Sequence, residues 1–363
     1  MNALGQLIAK RIVLQGPITI ADYMADALGH PKHGYYMTRD VFGADGDFIT
    51  APDISQMFGE LIGLWCVEVW EGMGRPAAFN LVELGPGRGT LMADALRAAK
   101  VVPEFRAAAI LHFIETSPKL RQAQRDALSQ DDIGWRDVSW HDGFNQVPDG
   151  PCLVIANEFL DALPAHQFQR TADGWRERMV GVSEDGESLC VALAPGPTPA
   201  LALLPIEVMA SNLGAVAEIQ PTAIALTRTI AARIGETGGA ALLIDYGYDG
   251  GQGDTLQAVR KHGFHDVLQS PGEADLTVHV DFAALRRAIG AVARILGPVG
   301  QGDFLGSLGV AVRAQMLMKS ATKAQAKEIE AAHSRLVDPA EMGALFKVLG
   351  VAPHGAPRLP GFE

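Results

Sequence analysis

Residues 79–97 read Phe-Asn-Leu-Val-Glu-Leu-Gly-Pro-Gly-Arg-Gly-Thr-Leu-Met-Ala-Asp-Ala-Leu-Arg. The apolar run from Phe79 to Leu84 has the length and composition of a buried strand. Gly85, Gly87 and Gly89 follow, and helical periodicity starts at Thr90. Strand, glycine-rich turn and helix together open a nucleotide-binding crossover. A side chain in the turn would keep the backbone from approaching a ligand, and the tight turn calls for positive φ. The helix start adds unpaired N–H groups and a partial positive charge.

The glycines are spaced Gly-x-Gly-x-Gly, not the Gly-x-Gly-x-x-Gly of dinucleotide folds. Glu83, two residues before the first glycine, ends the strand. A carboxylate there repels a pyrophosphate and attracts an ammonium. S-adenosylmethionine has no phosphate and carries an ammonium, a carboxylate and a sulfonium, so it fits better than NAD. A purely structural strand-to-helix turn would also explain the glycines. The next strand, Ala109 to Glu115, ends in an acid placed to accept the ribose hydroxyls. Its alternative is a surface glutamate beside the helix opening at Thr116-Ser117-Pro118.

Further along, Val138–His141 reads as a third strand ending at Asp142-Gly143-Phe144. Asp142 is a candidate acceptor for the adenine amino group, or a simple turn aspartate. Cys152–Ala156 is a buried fourth strand running into Asn157-Glu158-Phe159-Leu160-Asp161-Ala162-Leu163-Pro164, and Ala240–Ile244 is a fifth, ending at Asp245. In an open parallel sheet, ligands bind outside the carboxyl ends of the strands. Here those ends carry Glu83, Glu115, Asp142, Asn157-Glu158 and Asp245. The expected cofactor residues are Glu83, Gly85, Gly87, Gly89, Glu115, Asp142 and Asn157.

Methyl transfer from a sulfonium is an in-line displacement that needs alignment and desolvation, not a covalent nucleophile or a metal. A guanidinium acceptor would want a carboxylate clamp, because arginine donates in a planar fork. Glu158 and Asp161 can supply one, and Asn157 suits a neutral nitrogen. His279, between Val278 and Val280, is a further catalytic candidate, though a histidine alternating with valines is more often a satisfied edge residue. Tyr35, Tyr36 and Phe48 are aromatics that could close over a ligand or simply pack.

The chain has 363 residues, 48% hydrophobic and 20% charged, with a net charge of -12. That is an ordinary globular composition. The negative charge argues against nucleic acid, whose phosphates it would repel, and suits a small ligand or a cationic peptide. Three dispersed cysteines, Cys66, Cys152 and Cys190, fit a reducing compartment and no metal spacing. No run reaches transmembrane length, and the N-terminal stretch lacks signal-peptide or transit-peptide character, so a bacterial cytoplasmic location is expected.

The expected fold class is α/β, a doubly wound, mostly parallel, Rossmann-like sheet. It carries a helical N-terminal lobe (1–75), a core (76–165 and 236–363) and a β-plus-helix insertion after strand four (166–235). Leu4–Leu14 and the segment from Thr19 to Leu28 have helix signals. Thr50-Ala51-Pro52-Asp53 reads as a capping box, Asp173-Gly174 as a hairpin turn, and Val310–His333 mostly as one helix. Asp281 caps a helix from 283, and Asp338-Pro339-Ala340-Glu341 reads as a second capping box.

With these residues in place the chain resembles the mitochondrial complex I assembly factor 7 family of arginine methyltransferases and its bacterial relatives. The matching blocks are His33-Gly34-Tyr35-Tyr36, Gly46-Asp47-Phe48-Ile49-Thr50-Ala51-Pro52, Glu83 to Thr90, Asn157 to Pro164, Asp245-Tyr246-Gly247 and Asp275 to Phe282. The resemblance implies a class I methyltransferase fold that uses S-adenosyl-L-methionine. It also implies a protein partner bearing a target arginine, in the mitochondrial members the quinone-site subunit of respiratory complex I. The expected partners are therefore that protein substrate, no nucleic acid and no membrane, with a homodimer left open. The competing readings are a methyltransferase for another acceptor, an assembly chaperone that binds the cofactor without turnover, and an NAD-dependent dehydrogenase. Glu83 and the glycine spacing disfavour the last.

Overall fold

A computed structural model describes residues 1–38, 50–130, 133, 135 and 137–362. Phe48 and the Gly43–Ile49 stretch lie outside the described residues. The chain forms two compact units, one of Met1–Phe48, Asp161–Ala225 and Tyr248–Ala284, the other of Ile49–Leu160, Leu226–Gly247 and Leu285–Glu363. Residues 49–75, read from the sequence with the N-terminal lobe, thus fall in the second unit, and 248–284 fall in the first.

The second unit is built on a sheet of strands β1 (Phe79–Leu84), β2 (Ala109–Ile114), β3 (Val138–His141), β4 (Cys152–Asn157), β5 (Gly239–Tyr248), β6 (Arg294–Gly300) and β7 (Phe346–Ala352). They lie side by side in the order β6-β7-β5-β4-β1-β2-β3. Strands β3, β2, β1, β4 and β5 pair in parallel, and β7 runs antiparallel to both β5 and β6. Every residue of β1 and β4 is buried, which explains their unbroken apolar runs. The chain winds outward from β1 through β2 to β3, then returns to the other side of β1 for β4. The strand order therefore reverses between β1 and β4.

Helix α1 (Gln56–Gly72) packs on helix α2 (Thr90–Ala98), which follows β1. A Cβ at Gly63 would stand 2.4 Å from the carbonyl oxygen of Ala95, so only glycine allows this approach. Trp65, Phe58, Phe79, Phe105 and Phe113 fill the same core. Burial of each such large side chain contributes about 1.5–3 kcal/mol to folding.

The first unit holds an antiparallel sheet in the order Ile18–Thr19, Gly174–Val182, His166–Thr171, Val216–Ile219, with Leu189–Leu193 on Gly174–Val182. Thr171 pairs with Gly174, so the Asp173-Gly174 turn closes a hairpin as expected. Gln257–Arg260 forms a small sheet with Gly263–His265 and Asp275–Thr277. Leu4, Ile8, Ile12, Tyr23, Met24, Val180, Leu276 and Val278 share one core.

Three local expectations are corrected. The helix from Thr50 is broken: Ala51–Ile54 stops at an extended Ser55, whose hydroxyl accepts from Met57 N and starts α1. Thr50 makes no side-chain cap bond and donates instead to Asp53 Oδ2 at 3.0 Å. The Val310–His333 segment is two helices, Val310–Ser320 and Lys323–Val337, because Thr322 and Gln325 form a capping box inside it. Asp338 accepts from Ala340 N in a turn and does not cap the short helix Met342–Leu345. Asp281 does cap its helix, accepting from Ala283 N and Ala284 N at 3.0 and 3.2 Å. Among the described residues, no helix is long and apolar enough to cross a membrane.

Candidate functional site

The point of strand-order reversal is bounded by the ends of β1 and β4. Leu84 pairs with Ala156 there, so Glu83 and Asn157 sit on neighbouring strand ends. Glu83 is 3% exposed, and among the described residues its Oε2 has no hydrogen-bond partner. Burial without compensation pushes its carboxyl up to about 8. Asn157 donates from Nδ2 to Glu158 Oε1 at 3.2 Å, while its buried Oδ1 has no partner among the described residues. An unsatisfied buried polar group costs about 1–3 kcal/mol. Two acceptors kept in that condition side by side suit a ligand that brings hydrogen-bond donors and positive charge. They do not suit a phosphate.

The turn after β1 is left-handed at Gly85, Gly87 and Gly89, with φ of 61°, 54° and 83°. A Cβ on Gly85 would stand 2.5 Å from Phe159 Cδ2, so the turn admits no larger residue there. Gly89 precedes α2 without any side-chain cap bond. The first-turn N–H groups of α2 therefore face the turn uncapped by a side chain, a setting that favours a carboxylate.

At the end of β2, Glu115 is buried. Its Oε1 accepts from Ser117 N at 2.7 Å and its Oε2 from Gln124 Nε2 at 3.3 Å. Burial raises its carboxyl pKa, and these bonds and Arg121 work against the rise. Asp142, at the end of β3, is exposed and paired with Arg121 Nη2 at 2.6 Å. Asp245 lies within β5, which runs on to Tyr248, just past the last residue paired with β4. It is fully buried, with Oδ2 accepting from Leu160 N at 2.9 Å and Oδ1 from Tyr246 N at 3.0 Å.

Glu158 has φ of 50°, unusual for a residue with a side chain. Such a conformation costs on the order of 1 kcal/mol and clusters at functional sites. Its Oε1 accepts from Ala51 N at 2.9 Å as well as from Asn157, so the carboxylate is held in place.

The other two catalytic candidates lie in the first unit. Asp161 is buried, and its carbonyl accepts from Val278 N at 3.1 Å. His279 falls in the break between Asp275–Thr277 and Val280–Asp281. Its backbone N–H donates to Thr255 Oγ1 at 2.9 Å, and burial lowers its imidazole pKa. Tyr36 donates to Asp275 Oδ1 at 2.8 Å, and Tyr35 packs in that unit's core. Among the described residues, no group of three or more His, Cys, Asp or Glu could hold a metal ion.

Sequence reasoning missed Gln124, Arg121 and Trp140. Arg121 Nε donates to the Glu115 carbonyl at 2.7 Å, and Trp140 Nε1 to Gln124 Oε1 at 2.7 Å. A signal was present for Gln124. It stands four residues from both Leu120 and Leu128 on a helix (Pro118–Leu128) whose buried positions are those three.

A family model described as "Putative S-adenosyl-L-methionine-dependent methyltransferase" matches residues 61–299. The mouse protein named protein arginine methyltransferase NDUFAF7, mitochondrial, is 41% identical over 95% of this chain and 83% of its own length. The Drosophila melanogaster homolog of that name is 38% identical over 97% of this chain and 85% of its own. A crystal structure from Burkholderia thailandensis bound to S-adenosyl-homocysteine superposes with a TM-score of 0.82 at 27% identity. It covers 99% of this chain and 94% of that one.

Proposed function

The chain belongs to the S-adenosyl-L-methionine-dependent methyltransferase family, and from that premise we propose that it methylates an arginine side chain of a protein. Its doubly wound sheet is the fold of that family, and S-adenosyl-L-methionine is its cofactor. Bound, this cofactor supplies an electrophilic methyl group on a sulfonium.

The observation that carries the proposed layout is the pair of unsatisfied buried acceptors, Glu83 Oε2 and Asn157 Oδ1, at the switch point. We assign them to the ammonium of the cofactor, the glycine turn and the start of α2 to its carboxylate end, and Glu115 to the ribose hydroxyls. Asp142 is assigned to the adenine edge. The chemistry agrees: acceptors meet donors, and N–H groups meet a carboxylate.

Glu158 is assigned to the acceptor. A carboxylate locked by Ala51 N and Asn157 can orient a guanidinium through paired hydrogen bonds and keep its nitrogen aligned for attack. Asp161 and His279 keep their candidacy from the sequence. The relatives named as protein arginine methyltransferases support this acceptor. On the family resemblance, the proposed acceptor is a subunit of respiratory complex I.

Mass spectrometry of extract from cells lacking the chain, incubated with labelled cofactor and purified protein, tests the proposal. Methylarginine in a protein is expected, and Glu158→Gln should lose it while retaining S-adenosyl-homocysteine binding. Label on lysine or on small molecules alone, or no label despite cofactor binding, would contradict it.

A further inference from the structure

Helix α3 (Pro118–Leu128) leans against the glycine turn: a Cβ on Gly89 would meet Gln124 Cα at 3.3 Å. Gln124 is a fully buried polar residue in the middle of this helix. Such a side chain must find partners for both ends of its amide. It finds three. Nε2 donates to the Gly87 carbonyl at 2.7 Å and to Glu115 Oε2 at 3.3 Å, and Oε1 accepts from Trp140 Nε1 at 2.7 Å.

The chemistry of these partners fixes the amide's orientation. An indole N–H only donates, so the atom facing Trp140 is the oxygen. A carbonyl and a carboxylate only accept, so the nitrogen faces Gly87 and Glu115. The amide cannot flip without placing donor against donor and acceptor against acceptor. Trp140 is itself held, with the Arg125 guanidinium 4.4 Å from its ring centroid.

We propose that Gln124 is the positioning residue of the cofactor cradle: one side-chain amide ties the middle of the glycine turn to the glutamate that ends the second strand. This rests on the cofactor layout proposed above. By engaging the Gly87 carbonyl, Gln124 turns that acceptor away from the ligand and fixes the φ-positive turn. By donating to Oε2 of Glu115, opposite the Ser117 N–H on Oε1, it sets the plane of the carboxylate. Each Glu115 oxygen then has further acceptor capacity for one of two adjacent hydroxyls. Gln124 reaches the ligand only through these two groups.

The test is calorimetric titration of S-adenosyl-homocysteine into wild type, Gln124→Met, Gln124→Glu and Trp140→Phe, with the thermal midpoint of each. Losing bonds to a charged partner and to the turn, Gln124→Met should weaken binding about ten- to a hundredfold. Gln124→Glu keeps the size but places a carboxylate against Glu115 and the Gly87 carbonyl. It should bind as weakly at neutral pH, and its affinity relative to wild type should recover as pH falls and the new carboxyl takes up a proton. A merely structural role would not produce that pH-dependent rescue. Trp140→Phe should weaken binding less, and it carries the test if Gln124→Met fails to fold cooperatively. Affinities within about twofold of wild type in all variants would overturn the proposal. If Gly87→Val abolishes binding while the Gln124 variants do not, the layout stands and only Gln124's role falls. If wild type does not bind at all, the layout falls with it.

Discussion

The carboxyl-side parts of β1 and β4 and those of β3 and β5 all carry acids or amides, yet their hydrogen bonding differs. At β1 and β4, Glu83 Oε2 and Asn157 Oδ1 are buried with no partner among the described residues. At β5, both oxygens of Asp245 are taken by backbone N–H groups, and at β3, Asp142 stands exposed beside Arg121. Asp245 accepts from Leu160 N and so braces the loop after β4. The unpaired group bears a cost in the ligand-free chain that a cationic ligand can relieve. On the layout proposed above, buried acceptors without partners, rather than acidity alone, mark the rim residues assigned to the cofactor's ammonium.

Substitutions can break this contrast. The largest effect is expected at Glu83. Glu83→Gln removes the ionisable carboxyl assigned to the ammonium and should weaken S-adenosyl-homocysteine binding about ten- to a hundredfold by calorimetry. The same variant should be more stable than wild type at alkaline pH. Glu83 in the fold holds its proton up to about 8, against 4.5 for an ordinary glutamate, so its folded form loses stability as pH rises through that window. Wild-type affinity should therefore rise with pH toward about 8 and level off, and this slope should vanish in Glu83→Gln.

At Asp245 the expected order reverses. Asp245→Asn sets an amide N–H against a backbone N–H and should cost about 1–3 kcal/mol in denaturant unfolding. Cofactor affinity should stay within a few-fold of wild type. A large loss of affinity with unchanged stability would make Asp245 a ligand residue and erase the contrast.

Asp142 should show the smallest effect. Its side chain is 72% exposed, and ion pairs of that kind contribute about 0–1 kcal/mol. Asp142→Ala should leave stability unchanged and shift affinity by no more than the single adenine contact assigned to it.

Much of this rim was legible in the sequence. The runs of β1 and β4 are apolar throughout because both are covered on both faces, and the glycines and Glu83 follow directly. Strands β6 and β7 were not legible. Arg294–Gly300 contains Gly297 and Pro298, residue types that interrupt a strand pattern, and its register shifts between Leu296 and Val299. In Phe346–Ala352, Gly350 interrupts the pattern because the Phe362 ring lies over it, 2.8 Å from where a Cβ would stand. The helix break at Thr322 was hidden by periodicity that continues across it. Five rim groups also look alike as letters. Their separation into satisfied and unsatisfied depends on which backbone N–H groups fold against them, and neighbouring residues do not encode that.

The most direct measurement is a crystal structure of the protein grown with S-adenosyl-homocysteine. The account predicts the ammonium within hydrogen-bond distance of Glu83 Oε2 and Asn157 Oδ1, and the ribose on Glu115. A nucleoside bound away from the β1–β4 crevice, or an ammonium held elsewhere with Glu83 still unpaired, would contradict it.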